Sequence, residues 1–182
     1  MMLTNTPKIC STGIENCIKR YGNAEQFFKT FCPDNIAKYS SYPEKCISGY
    51  APTLNVIKNA YGEDVATSWL MLQLNCVNAI VGSQNKLSPE QTFSLAQLIL
   101  FNTDFSTLKV TDIMLFINQL ITGKYGCFYG SVDSQIIGEA LYKYKRWKME
   151  QLYEIEVKRK KQEREAMYQE WEKYKNKIGK IE

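Results

Sequence analysis

Apolar residues recur at helical spacing along most of this chain, broken by short polar or glycine-containing stretches. Ile14, Cys17, Ile18 and Tyr21 outline a first helix, with Thr12 as its cap and Gly22 just past its end. Phe27, Phe28 and Phe31 outline the next, capped by Asn23 and stopped near Pro33. Residues 34–39 read as a further turn. Residues 40–52, with Pro43, Gly49 and Pro52, read as irregular. Residues 18–22 and 57–62 both end on Tyr-Gly, which reads as two similar helix stops, with an internal repeat as the other reading.

The longest apolar helix is predicted over residues 63–81. Ala66, Trp69, Leu70, Leu72, Cys76, Val77, Ile80 and Val81 cover much of its surface, so it belongs near the centre of the core. Gly82 is expected to end it. Ser88, Pro89 and Gln91 then supply an N-cap, a first-position proline and a capping-box partner for a helix carrying Phe93, Leu95, Ala96, Leu98, Ile99 and Leu100. Thr111 is a cap for a helix over 112–121, with Asp112 favourably placed at its positive end. Asp133 caps a last helix that runs without proline from Ser134 to about Lys177, roughly 65 Å at 1.5 Å per residue. Ile136, Ile137, Ala140, Leu141 and Tyr144 look docked, whereas 158–165 is polar all round. The pattern predicts an all-α protein. A compact helical bundle occupies residues 1–144, and a long, basic, partly solvent-exposed helical tail occupies 145–182.

Charge sharpens the division. The chain carries a net charge of +4, and residues 143–182 hold 13 basic against 8 acidic side chains. The positive excess therefore lies in the last quarter, which favours an anionic partner. The 45% apolar content is ordinary for a globular core. No basic segment followed by an apolar run opens the sequence, and no stretch reaches about 18 apolar residues, so a cytoplasmic protein with no membrane partner is expected. The six cysteines, without a Cys-x-x-Cys pair, read as reduced, partly buried thiols. The chain has no histidine, which removes the common zinc sites and every Ser-His-Asp or Cys-His arrangement. Neither a cofactor nor an enzymatic activity is expected.

Residues 123–133 pack three glycines and three aromatics between two helical segments. Ordering so much glycine is costly, so packing or function must offset the entropy. A phosphate loop does not fit, because Gly130 is followed by Ser131 and Val132 and Lys124 stands at the wrong end. Two readings stay open: a rigid helix-to-helix connection with its aromatics packed down, or an exposed platform. In the second, Tyr125 and Tyr129 stack on bases or a partner and Lys124 meets a phosphate.

The segment 142–148 interleaves aromatics with Lys143, Lys145, Arg146 and Lys148. That is single-strand chemistry, but on a helix these side chains point in different directions, and the favoured reading is a seat for Tyr144 and Trp147 with solvated cations around it. The cations at 158–161 are diluted by nearby glutamates and read as a solvated face. Met167, Trp171, Tyr174, Ile178 and Ile181 recur at spacings of four, three, four and three, a short heptad seam of partner-binding residue types.

The positions Leu108, Lys109, Asp112, Ile113 and Phe116, followed by Gly123, Lys124, Tyr125, Gly126, Phe128, Tyr129, Gly130 and Asp133, carry a resemblance. Over about 88–147 the chain resembles a group of small uncharacterised proteins of gut-bacterial phages and conjugative elements. The resemblance implies a mobile-element setting, where small basic helical proteins serve DNA replication or transfer. The leading expectation is a non-enzymatic accessory protein that binds nucleic acid, or a replication protein such as a helicase. The rival is an assembly protein that forms a homo-oligomer through Met167, Trp171, Tyr174 and Ile178.

Overall fold

The computed structural model describes residues 11–81 and 84–178. The fold is all-α, and no strand occurs among the described residues. Helices follow in the order α1 (Ser11–Tyr21), α2 (Ala24–Thr30), a 3₁₀ turn at Pro33–Asn35, α3 (Ile36–Ser40) and α4 (Pro43–Ser48). After these come α5 (Leu54–Tyr61), α6 (Glu63–Ile80), α7 (Pro89–Phe101), α8 (Val110–Ile121) and α9 (Ser134–Ile178). The chain divides into two units, Met1–Tyr144 and Lys145–Glu182. No helix is long and apolar enough to cross a membrane among the described residues.

Local chemistry sets most helix ends. Asn23 and Ser88 each accept a hydrogen bond from the backbone three residues on, and Gln26 and Gln91 return one, so both capping boxes are complete. Gly22 follows α1 at φ 71°, and its N–H closes on the Ile18 carbonyl at 2.8 Å. Asp133 Oδ1 accepts the N–H of Gln135 at 2.6 Å and opens α9.

Three expected boundaries need correction. Residues 43–48 are helical rather than irregular, because Pro43 takes the first helical position and Cys46 and Ile47 are buried. Thr12 lies inside α1 rather than at its cap. Thr111 does not cap α8: its hydroxyl donates to the Cys46 carbonyl at 2.9 Å, and the backbone N–H of Lys109 is met instead by Asp112 Oδ2 at 2.8 Å. Gly82, expected to stop α6, lies outside the described residues.

Within the first unit, α6 packs on α5, α7 and α8, while α8 is also covered by α3 and α4. Phe27, Phe31 and Trp69 make an aromatic centre with ring centroids 5.2 and 6.0 Å from Phe27. The last carbonyl of that turn, on Phe31, accepts both Trp69 Nε1 at 2.9 Å and Gln73 Nε2 at 3.0 Å. Gln73 is thus a buried polar anchor. Asn78 does the same for the α6–α7 connection, gripping both backbone groups of Leu87. Conversely, Leu72 and Ile80, predicted as core, are 43% and 63% exposed.

Two short backbone pairings tie distant segments together. Leu54 N–H reaches the Leu108 carbonyl at 2.8 Å, and Val110 N–H reaches the Pro52 carbonyl at 2.9 Å, which fixes the starts of α5 and α8 side by side. The start of α9 docks through Ile137, Ala140, Leu141 and Tyr144, all essentially without exposure. The Tyr144 ring meets Phe116 at 5.7 Å, and its hydroxyl donates to Asp112 Oδ1 at 3.0 Å.

Candidate functional site

The connection from α8 to α9 is built from the end of α8 outward. Lys124 N–H returns to the Gln119 carbonyl at 2.9 Å, and Gly126 N–H to the Gly123 carbonyl at 3.1 Å. Gly126 needs its lack of a side chain for φ 109° rather than for space, since a Cβ there meets nothing. Further along, Asn85 pairs with the loop through Asn85 N–H to the Gly130 carbonyl and Val132 N–H to the Asn85 carbonyl, at 3.2 and 2.8 Å. Val132 is buried.

The loop combines features of both sequence readings. Tyr125 is half-buried, its ring 6.0 Å from Phe116 and its hydroxyl donating to Gln119 Oε1. Burial pushes its phenol well above the usual tyrosine range. It packs as a rigid connection would have it. Tyr129, by contrast, is 90% exposed. Lys124 Nζ lies 5.9 Å from the centre of the Tyr125 ring, and partial burial lowers its pKa.

The other predicted cations lie on α9. Lys143, in the first unit, and Arg146, in the second, are exposed, while Lys145 and Lys148 are half-buried. Further along, Arg159 pairs with Glu156 and Glu163, Lys160 with Glu156, and Lys161 with Glu165. These exposed intrahelical pairs add little stability, but they offset the positive charge of that stretch.

Met167, Trp171 and Tyr174 stand 62%, 60% and 58% exposed on one strip of α9. The Trp171 and Tyr174 rings lie 6.2 Å apart, so the pair forms one continuous aromatic surface. The Ile178 side chain and all of Ile181 lie outside the described residues. No group of three or more cysteine, aspartate or glutamate side chains is placed to hold a metal among the described residues.

Residues 87–175 match the model of a family of unknown function (DUF6633). The match covers just under half of the chain. It takes in α7, α8, the glycine-aromatic loop and α9 as far as Lys175, and it brings no activity with it. No curated protein and no solved structure matches the chain.

One surface was not anticipated. Tyr42 and Tyr50, in a stretch read from sequence as irregular, are 59% and 57% exposed beside Lys38, Lys45 and Arg20. The available signal was the interleaving of tyrosine with lysine over 38–50, the same pattern that drew attention to 142–148.

Proposed function

We propose that this protein is a non-enzymatic accessory protein of a phage or mobile element, which works by docking a partner engaged in DNA replication or transfer. The observation that carries the reading is the exposed strip of Met167, Trp171 and Tyr174. Keeping three large apolar side chains in water is unfavourable, and Trp and Tyr are the residue types that anchor interfaces. The resemblance carried by Gly123 to Asp133 supports the mobile-element setting. The exposed cations Lys143 and Arg146 and the ring of Tyr129 support an anionic component, such as a nucleic-acid strand held by the same assembly.

A second reading is favoured by the four–three–four spacing of Met167, Trp171, Tyr174 and Ile178: the strip pairs with its own copy, and the protein assembles through the tail. Light scattering on the full chain, alongside a Met167→Ala/Trp171→Ala/Tyr174→Ala variant, separates the two. A wild-type oligomer that falls to monomer in the variant selects assembly. A wild-type monomer that recovers a replication protein such as a helicase after in-cell cross-linking, where the variant does not, selects the accessory role. If the variant matches the wild type in both mass and cross-linked partners, docking through the tail is wrong.

A further inference from the structure

We infer that the face formed by α1, α3 and α4 is a binding site for single-stranded nucleic acid, in which Tyr42 and Tyr50 stack on bases and Lys38, Lys45, Lys19 and Arg20 meet phosphates. The inference rests on the nucleic-acid part of the reading above and gives it a site away from the loop and from α9. The site has two adjoining hollows. The first, about 250 Å³, is lined by Lys38, Tyr39, Tyr42, Lys45 and Tyr50. The second, about 360 Å³, is lined by Lys19, Arg20 and Tyr50. Tyr50 belongs to both, so its ring forms a shared wall.

Three features point to single-stranded nucleic acid. Each exposed ring already carries a cation: Lys45 Nζ sits 4.7 Å from the Tyr42 centroid, and the Arg20 guanidinium 5.0 Å from that of Tyr50. Among the described residues, no carboxylate lines either hollow. The backbone that carries the rings is held in place. Cys46 Sγ donates to the Tyr39 carbonyl at 3.0 Å, Thr111 donates to the Cys46 carbonyl at 2.9 Å, and Lys109 Nζ binds the carbonyls of Ile47 and Gly49 just before Tyr50. Exposed aromatic rings accompanied by cations are the means by which proteins hold unpaired bases and track a backbone. A duplex hides its base faces in the stack, so it offers these rings nothing to stack on. A purely acidic peptide would use the cations and leave the rings idle.

Fluorescence anisotropy with the full chain tests this, using labelled oligo-dT of about 20 nucleotides and a duplex of equal length at low and high salt. Wild type should bind the single strand more tightly than the duplex. Tyr42→Ala/Tyr50→Ala should weaken single-strand binding by about tenfold or more, while Tyr42→Phe/Tyr50→Phe, which keeps both ring faces, should bind nearly as wild type. Arg20→Glu/Lys45→Glu should weaken binding and flatten its salt dependence. Retained binding in both the alanine and the glutamate variants, with loss in Lys143→Glu/Arg146→Glu, would overturn this site and leave the nucleic-acid reading standing on α9. Equal affinity for duplex and single strand would overturn the stacking assignment. No binding by wild type at low salt would remove both this site and the nucleic-acid reading.

Discussion

Tyr144 shows how a residue whose type allows two roles is assigned one by its partner. Its place among the lysines of 142–148 is compatible with stacking, while its register with Ile137 and Leu141 predicts docking; it is fully buried and donates to the equally buried carboxylate of Asp112. Tyr144→Phe keeps the ring against Phe116 but removes a hydrogen bond to a buried carboxylate. The variant should lose about 1–3 kcal/mol in urea unfolding. Burial, and then the Asp112 charge, raises the folded-state pKa of this phenol above its ordinary value of 10.0. Its contribution is therefore complete below pH 10 and is lost as the pH climbs beyond it. The alkaline loss of stability should accordingly be shallower in Tyr144→Phe than in wild type, as followed by the urea midpoint between pH 8 and the onset of alkaline unfolding. The cysteines differ in the same way. Burial pushes the Cys46 thiol up to about 11 and raises that of Cys17, whereas Cys127 is exposed on the loop. Brief alkylation near pH 8, mapped by mass spectrometry, should mark Cys127 well before Cys17 or Cys46. The reverse order would mean that α1 and α4 open readily.

At the scale of elements, most helices are specified by their own ends. The junction of α5 and α6 depends on a single residue, Gly62, which closes one helix and opens the next at φ 96° and ψ 162°. That backbone region belongs almost solely to glycine, and a Cβ placed there touches nothing, so the cost of substitution is conformational alone. Gly62→Ala should lower unfolding stability by about 1–3 kcal/mol without changing the far-ultraviolet circular dichroism at room temperature. A neutral substitution would show that α5 and α6 can meet in another way. Gly22 marks the matching Tyr-Gly stop, and the two stops touch: the Tyr61 hydroxyl donates to the Gly22 carbonyl at 3.0 Å. The element that escaped the sequence reading is α4. Six residues opening on Pro43 offer too little periodicity to register, and the helix is supported from outside, by the Thr111 and Lys109 side chains that hold its carbonyls.

For the whole molecule, the two proposed surfaces have opposite physical signatures. A strand crossing α1, α3 and α4 should release its own phosphate counterions as Lys19, Arg20, Lys38 and Lys45 take their place. If all four engage, log affinity should fall against log salt with a slope of about −3. A partner held by Met167, Trp171 and Tyr174 should be insensitive to the same salt, because burial of apolar surface drives it. One salt series, read for DNA binding and for assembly mass, therefore distinguishes the surfaces. A slope near zero for DNA would place its contacts away from these cations.

The sequence alone determined where most of the longer helices lie and several of the residues that bound them. Caps such as Asn23, Ser88 and Asp133, the stops at Gly22 and Gly62, and the unbroken run after Ser134 act within four residues along the chain, so a linear reading finds them. It also determined that Met167, Trp171 and Tyr174 share one strip, since that follows from helical spacing. Only the tertiary structure decided which faces are covered. Gln73 is buried because the Phe31 carbonyl, far away in sequence, stands ready to accept its amide. Leu98 is 69% exposed, with no other element over it among the described residues, although it is as apolar as its buried neighbour Leu95. The same division separates Tyr125, turned inward onto Gln119, from Tyr129, left in water four residues later. Residue type sets the energy of burial, but only long-range packing supplies the partner that makes burial possible.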